Sequence, residues 1–452
     1  MLRILMTGFA ALCTVAGPLI GQVAEDYRAT ADRIMQAAQA DSFAYQRLAQ
    51  LTDTFGHRLS GSRNLEEAID WILAQMAADG LENVRGEPVM VPHWVRGKES
   101  LELLSPRQRP LPMLGLGGSV ATPPGGITAP VLVVSSFDDL AANAHRARDR
   151  IVLFNAPFTT YGETVRYRWA GASAAAKVGA VASLVRSVTP HSLHTPHTGG
   201  MGYEDDVTRI PHAAITVEDA ELLQRWQDRG VEAVVRLKMA AKTMPDAPSR
   251  NVVAELVGRE LPEEVVVMGG HIDSWDVGQG AMDDGGGCVA TWEALRLLQR
   301  LHLRPRRTIR VVLWTNEENG LRGGQAYREA YADALEDHIL AIESDAGVFR
   351  PEGFGFTGSA KALAVVRSIA ALLAPIGADT VTDKGGGADI GPIMEAGVPG
   401  MGLAVDRSRY FWYHHSHADT MDKLDPGELN LCVAALAVMA YVVADLPERL
   451  PR

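Results

Sequence analysis

Three times in the second half of this chain an apolar run ends abruptly in residues that bind metals or move protons. Val265-Val266-Val267-Met268-Gly269-Gly270 runs into His271-Ile272-Asp273. Thr308 to Trp314 runs into Thr315-Asn316-Glu317-Glu318, and His338 to Ile342 runs into Glu343-Ser344-Asp345. Short runs rich in Val and Ile read as strands buried on both faces. Their alternation with helix-length segments predicts an α/β fold built on a mostly parallel sheet. Open sheets of this kind form their ligand crevice at the carboxyl ends of the strands. Histidine and carboxylates at the ends of several strands are therefore expected to converge on one site.

The first of these ends is the richest. Ser274-Trp275-Asp276 follows His271 and Asp273, and Gly280-Ala281-Met282-Asp283-Asp284-Gly285-Gly286-Gly287 comes next. A neutral imidazole and nearby carboxylates form a donor set suited to zinc. Asp273 is placed to accept the other N–H of His271 and fix its tautomer. Late in the chain, Tyr410 to Thr420 reads Tyr-Phe-Trp-Tyr-His-His-Ser-His-Ala-Asp-Thr, a further cluster of possible ligands. Each piece alone has a plainer explanation. Glu317-Glu318 fits a solvated loop, Asp345 a helix cap, and His414, His415 and His417 an exposed surface. Their coincidence at matching strand ends argues against all of these together.

His-x-Asp-Ser, Asp-Asp with a glycine turn, Glu-Glu, Asp, and His-Ser-x-x-Asp-Thr, in that order, resemble the co-catalytic dizinc exopeptidases. The wording Ser274 to Asp284 is very specific to that group. The resemblance runs through nearly the whole chain beyond the first residues, including Ala175 to Ala180, Pro196 to Gly199 and Ala396 to Gly400. It implies a zinc exopeptidase fold, a mostly parallel mixed sheet flanked by helices, with an inserted protease-associated α/β domain. It also implies two Zn2+ ions per chain, with His271 and Asp345 on one, Glu318 and His415 on the other, and Asp283 shared. Glu317 would be the general base and Asp273 the support of His271. His415 is preferred to His414 and His417 because it begins the His-Ser-x-x-Asp-Thr motif. The implied substrate is a short peptide, expected to be a dipeptide with free termini, and the implied assembly is a homodimer. Arg166, Arg168 and His197 of the insert are candidates to lie over the crevice and meet a free carboxylate. A plain aminopeptidase of longer peptides, and a zinc deacetylase or acyltransferase on the same scaffold, are the alternatives. A relative without catalysis should have lost ligands, and none is missing here.

The 452 residues exceed one ordinary core. We expect residues 25–118 and 245–452 to form the catalytic domain and 119–244 the insert, with the seam at the Gly/Pro/Thr-rich stretch 115–126. The net charge of −12 excludes an electrostatic nucleic-acid binder. Arg3, the apolar stretch 4–20 and the small residues before Glu25 form a signal-peptide pattern, predicting cleavage near 21–24 and export to a periplasmic or extracellular space. Beyond it stand only Cys288 and Cys432, enough for one disulfide and no framework. The apolar run 431–444 is too short for a membrane span and is expected to be a buried helix. Further upstream, Asn64 to Glu67 is expected to open a helix that Gly80 stops.

Overall fold

A computed structural model describes the backbone of residues 17–452 and the side chains of residues 25–452. The expected leader therefore lies outside the described residues through position 16, and its cleavage region falls within the backbone of the helix Gly17–Ala40. Two eight-stranded sheets organise the described residues. Strand β1 (Glu82–Val95) begins the first sheet. The chain then leaves to build the second from β2 (Glu99–Ser105), β3 (Arg109–Leu111), β4 (Met113–Gly115), β5 (Ile127–Val134), β6 (Ile151–Phe154), β7 (Ala182–Arg186), β8 (His212–Ile215) and β9 (Val234–Met239). It returns through β10 (Lys242–Leu256), β11 (Leu261–His271), β12 (Arg307–Trp314), β13 (His338–Glu343), β14 (Pro351–Thr357), β15 (Thr380–Thr382) and β16 (Gly400–Val405).

The first sheet has the order β1-β10-β12-β11-β13-β16-β14-β15. Its centre, β12-β11-β13-β16, is parallel throughout, and antiparallel pairings attach β10 on one side and β14 on the other. Period-two alternation explains why the central strands read as unbroken apolar runs. In β11, Val266 and Met268 join one hydrophobic cluster while Val265 and Val267 join another on the opposite face. The helix Pro426–Asp445 packs against the helices Gly286–Arg300 and Gly17–Ala40 on the first of these faces. It is 20 residues long with an apolar window of mean hydropathy 1.8, but 83% of that window is buried inside the protein, so it is a core helix. Asp425 caps it by accepting from the N–H groups of Gly427 and Glu428, with Pro426 in the first turn.

Two sequence expectations shift, and the open question of the cysteines closes. The helix Arg63–Ala78 is capped by Ser62, whose hydroxyl accepts from Leu65 N–H, and not opened by Asn64. The capping residue lies outside the apolar-periodic segment, which is why the pattern placed the start late. Cys288 and Cys432 are both buried free thiols, so no disulfide forms. The seam also moves. The second sheet already begins at Glu99, so residues 99–118 belong with it and not with the catalytic sheet. The glycines at 115–118 are not a linker. Gly117 lies flat against Trp275, where a Cβ would come within 2.0 Å of the ring. The second sheet carries its own clusters on both faces, one around Leu153, Leu184 and Leu237, the other around Phe154, Ala172 and Val185.

Candidate metal centre

The carboxyl ends of β11, β12 and β13 are adjacent in the sheet, and the residues that follow each strand meet there. His271, the last residue of β11, is buried. Its Nε2 lies 3.3 Å from Asp283 Oδ1 and 3.4 Å from Asp345 Oδ1. The other oxygen of Asp283 faces away from His271, with His415 Nε2 3.4 Å from it, and His415 Nε2 is also 3.1 Å from Glu318 Oε2. One carboxylate thus stands between two imidazoles, each with a second carboxylate of its own. Asp283 Oδ2 is buried without a hydrogen-bond donor, the sort of orphaned atom that a cation satisfies.

The electrostatics agree. Burial and the neighbouring carboxylates push Asp283 up and Glu318 well above the usual carboxylate range. Glu317 is pushed up to about 8, first by burial and then by Asp345, Asp273 and Asp283, with His271 opposing. Burial works against the charged form of His271, but hydrogen bonds to Asp283 and Asp345 outweigh it and raise that imidazole well above its ordinary value. So many buried carboxyls with so little compensating positive charge cost several kcal/mol each unless cations join them.

His414 complicates the choice of histidine. Its Nε2 is 3.6 Å from Asp283 Oδ2, and its ring stacks on that of His415 with centroids 3.5 Å apart. Asp283, His414 and His415 therefore offer ligand atoms close enough to share one ion, as do His271, Asp283 and Asp345. The contact with Glu318 distinguishes His415, in accord with the motif, and His417 is exposed and outside the cluster.

Asp273 behaves differently from the expectation. Its main-chain carbonyl, not its carboxylate, accepts the Nδ1–H of His271 at 2.9 Å. The carboxylate instead accepts from the N–H groups of Glu317 at 3.0 Å and Glu318 at 3.3 Å. A carboxylate taking two successive amides fixes the turn that follows β12 and lets Glu317 and Glu318 take different directions. Glu318 is pinned further, its Oε1 accepting from Trp275 N–H at 3.1 Å. Of the insert residues expected over the crevice, Arg168 is buried beside His415, with Nη1 3.4 Å from Nδ1, and His197 is buried against His414. Arg166 is exposed and lies over the rings of Phe137 and Tyr167 within the second sheet unit, so it plays no part here.

A family model, "Peptidase family M28", matches residues 251–440, the segment that holds all of these ligand-type residues. Carboxypeptidase Q of Xenopus laevis is 52% identical over 429 residues, spanning 94% of this chain and 92% of its own. Carboxypeptidase Q of Homo sapiens is 52% identical over 414 residues, 92% of this chain and 88% of its own. The chain belongs to peptidase family M28. A crystal structure described as a peptidase M28 precursor from Shewanella amazonensis superposes with a TM-score of 0.92 at 37% identity, covering 95% of this chain and 99% of that one. An aminopeptidase from Aneurinibacillus sp. strain AM-1 shares the fold at a TM-score of 0.66 and 20% identity, covering 92% and 97%. Membership of M28 makes the protein a hydrolase, a metallopeptidase with the zinc exopeptidase fold.

Two further residues of the M28 site escaped the sequence reading. Asp419 accepts from the N–H groups of Ala281, Met282 and Asp283 and so holds the loop that presents Asp283. It closes the His-Ser-x-x-Asp-Thr motif, and that motif was the available signal. Arg58 is fully buried and donates to the carbonyls of Gly56, Ile272, Gln279 and Gly280, tying both ends of the same loop. Nothing local to Arg58 marks it, because its partners are main-chain carbonyls far along the chain. The glycines after Asp284 are required for close packing at the start of the helix Gly286–Arg300. A Cβ at Gly287 would fall 1.8 Å from Ser344 O at the end of β13.

Proposed function

We propose that this M28 enzyme is a dizinc exopeptidase of short peptides, with dipeptides bearing free termini as its preferred substrates. The observation that carries the metal reading is Asp283, one oxygen toward His271 and the other, without a donor, toward His415. In this reading His271 and Asp345 hold one zinc, Glu318 and His415 hold the other, and Asp283 is shared. Zinc, when bound, supplies Lewis acidity toward a carbonyl and lowers the pKa of water. The residues of the chain do the rest. Glu317 accepts a proton from the attacking water and delivers it to the leaving amine. Asp273 holds the Glu317 and Glu318 amides, and therefore the distance between base and ligand.

The packing of the second sheet unit beside His414 supports a preference for small substrates. Tyr161 of the second sheet unit stacks on Phe411 at 5.0 Å, Phe158 packs on the same ring at 5.6 Å, and Thr189 Oγ1 donates to Phe411 O. Tyr161 and Phe411 both lie against His414, with ring centroids 5.2 and 5.4 Å away, so aromatic bulk beside the site supports the reading of a short substrate. A charge-assisted contact from Arg168 to a free carboxylate would account for recognition of the carboxyl end.

A free dipeptide is expected to be hydrolysed faster than its N-acetylated form, its C-amidated form or a long blocked peptide, with release of two amino acids followed by chromatography. Equal cleavage of the long blocked peptide would sink the exopeptidase reading. Loss on N-acetylation with full tolerance of the amide would make the enzyme an aminopeptidase. Activity confined to N-acyl amino acids would make it a deacylase.

Export is the second expectation. The Arg3 n-region and the apolar stretch after it predict that exported protein starts about 21–24 residues into the sequence. N-terminal sequencing reads this directly, and active protein retaining Met1 would refute it.

A further inference from the structure

His415 has a φ of +59°, a left-handed conformation that non-glycine residues seldom adopt. Both carbonyls flanking that conformation are occupied, and both donors come from the second sheet unit. His197 Nδ1 donates to His414 O at 2.7 Å, and Thr198 N–H donates to His415 O at 2.8 Å. The carbonyl can only accept, so the proton of the His197 imidazole is on Nδ1. The donors are themselves fixed. His197 N–H donates to Ser187 Oγ at 2.9 Å, Thr198 Oγ1 donates to Gly115 O at 2.8 Å, and Arg96 Nη2 donates to Thr198 Oγ1 at 3.2 Å. Arg168 Nη1 donates to Thr198 O at 3.3 Å. His197 and Thr198 are buried, so water does not compete for these bonds.

We propose that His197 and Thr198 are positioning residues for His415: by holding the His414 and His415 carbonyls they maintain the left-handed backbone that aims the His415 imidazole at Asp283 and Glu318. This rests on the reading above that His415 ligates a metal. The second sheet unit is then more than a cover, because one half of the metal centre is shaped by it. The other half, His271 at the end of β11 and Asp345 just beyond β13, has no hydrogen bond or ion pair to that unit among the described residues. The two halves should therefore respond differently to the same substitution.

The test is metal binding by the whole mature protein, titrated against a chromogenic chelator, with the visible spectrum of the cobalt-loaded form as a second readout. His197→Leu fills the space but has no donor. It is expected to weaken one metal by roughly 10–100-fold and leave the other unchanged, the range typical for loss of a group that orients a ligand. His197→Asn, whose amide N–H reaches the place of Nδ1, is expected to restore that metal to within a few-fold. Should His197→Leu fail to fold, Ser187→Ala, which frees the His197 main-chain N–H without touching its ring, is expected to weaken the same metal by a smaller factor. Unchanged affinity for both metals, equal weakening of both, or failure of the asparagine to restore would each overturn the proposal. Wild-type protein that holds one metal at full activity would instead overturn the dizinc reading beneath it.

Discussion

Glu317→Gln is expected to keep its metals and its fold while losing about 100–10,000-fold in turnover, or about 3–5.5 kcal/mol of barrier. Glutamine has the same shape, so the hydrogen bond from residue 317 N–H to Asp273 Oδ1 survives. What it lacks is a basic oxygen. The size of the effect follows from the position of Glu317: it is surrounded by His271, Asp345, Asp273 and Asp283, and the carboxylates nearest to it have other tasks. Glu318 is tied to Trp275 N–H and faces His415, Asp283 stands between the imidazoles, and Asp273 carries the turn. Turnover of a dipeptide, measured beside metal content, decides the matter. Activity within a few-fold of wild type would show that Glu317 is not the base. Loss of metal together with activity would make it a ligand instead.

Asp283→Asn is expected to abolish activity by a different route, through loss of metal from both halves of the centre. An amide presents one oxygen and one NH2 group, so the face toward His415 or the face toward His271 would offer donors where a ligand atom is needed. The loop itself should survive, since Asp419 and Arg58 hold its main chain and neither bonds the Asp283 carboxylate. Metal analysis after purification without chelator is the measurement, with circular dichroism to confirm the fold. A variant that still carried a full complement of tightly bound metal would refute the shared role of Asp283.

The central strands were legible because burial on both faces forces an apolar run, and a run that stops at His271, at Thr315 or at Glu343 marks a strand end whatever lies around it. His271, Glu317, Glu318 and Asp345 were legible for the same reason, at or just beyond those ends, whereas Asp283 and His415 lie further along and were marked only by the family motif. The groups that hold them were not. Arg58 works by donating to carbonyls, and carbonyls carry no sequence signature. Asp273 was expected to hold the imidazole of His271 through its carboxylate, but the tight turn after β11 brings its carbonyl there and frees the carboxylate for the Glu317 and Glu318 amides. The seam was misplaced because glycines look alike in sequence whether they link two units or, as at Gly117, let main chain lie against an indole. Ser62 was overlooked as a cap because it precedes the apolar pattern it serves.

The second sheet interrupts the first between two strands that pair along their length, Val95 opposite Lys242 at the open end. During synthesis β1 emerges long before its partner, and an unpaired edge must wait while the chain between them is made. Closing so long a loop from a disordered chain carries an entropic cost that grows with its length. If the intervening unit condenses first around its own apolar clusters, its two ends are already neighbours and the closure becomes that of a short turn. Assembly from the inside outward thus removes the kinetic penalty that such distant pairing imposes. His415, the last of the ligand-type residues along the chain, then arrives into a socket already waiting for it.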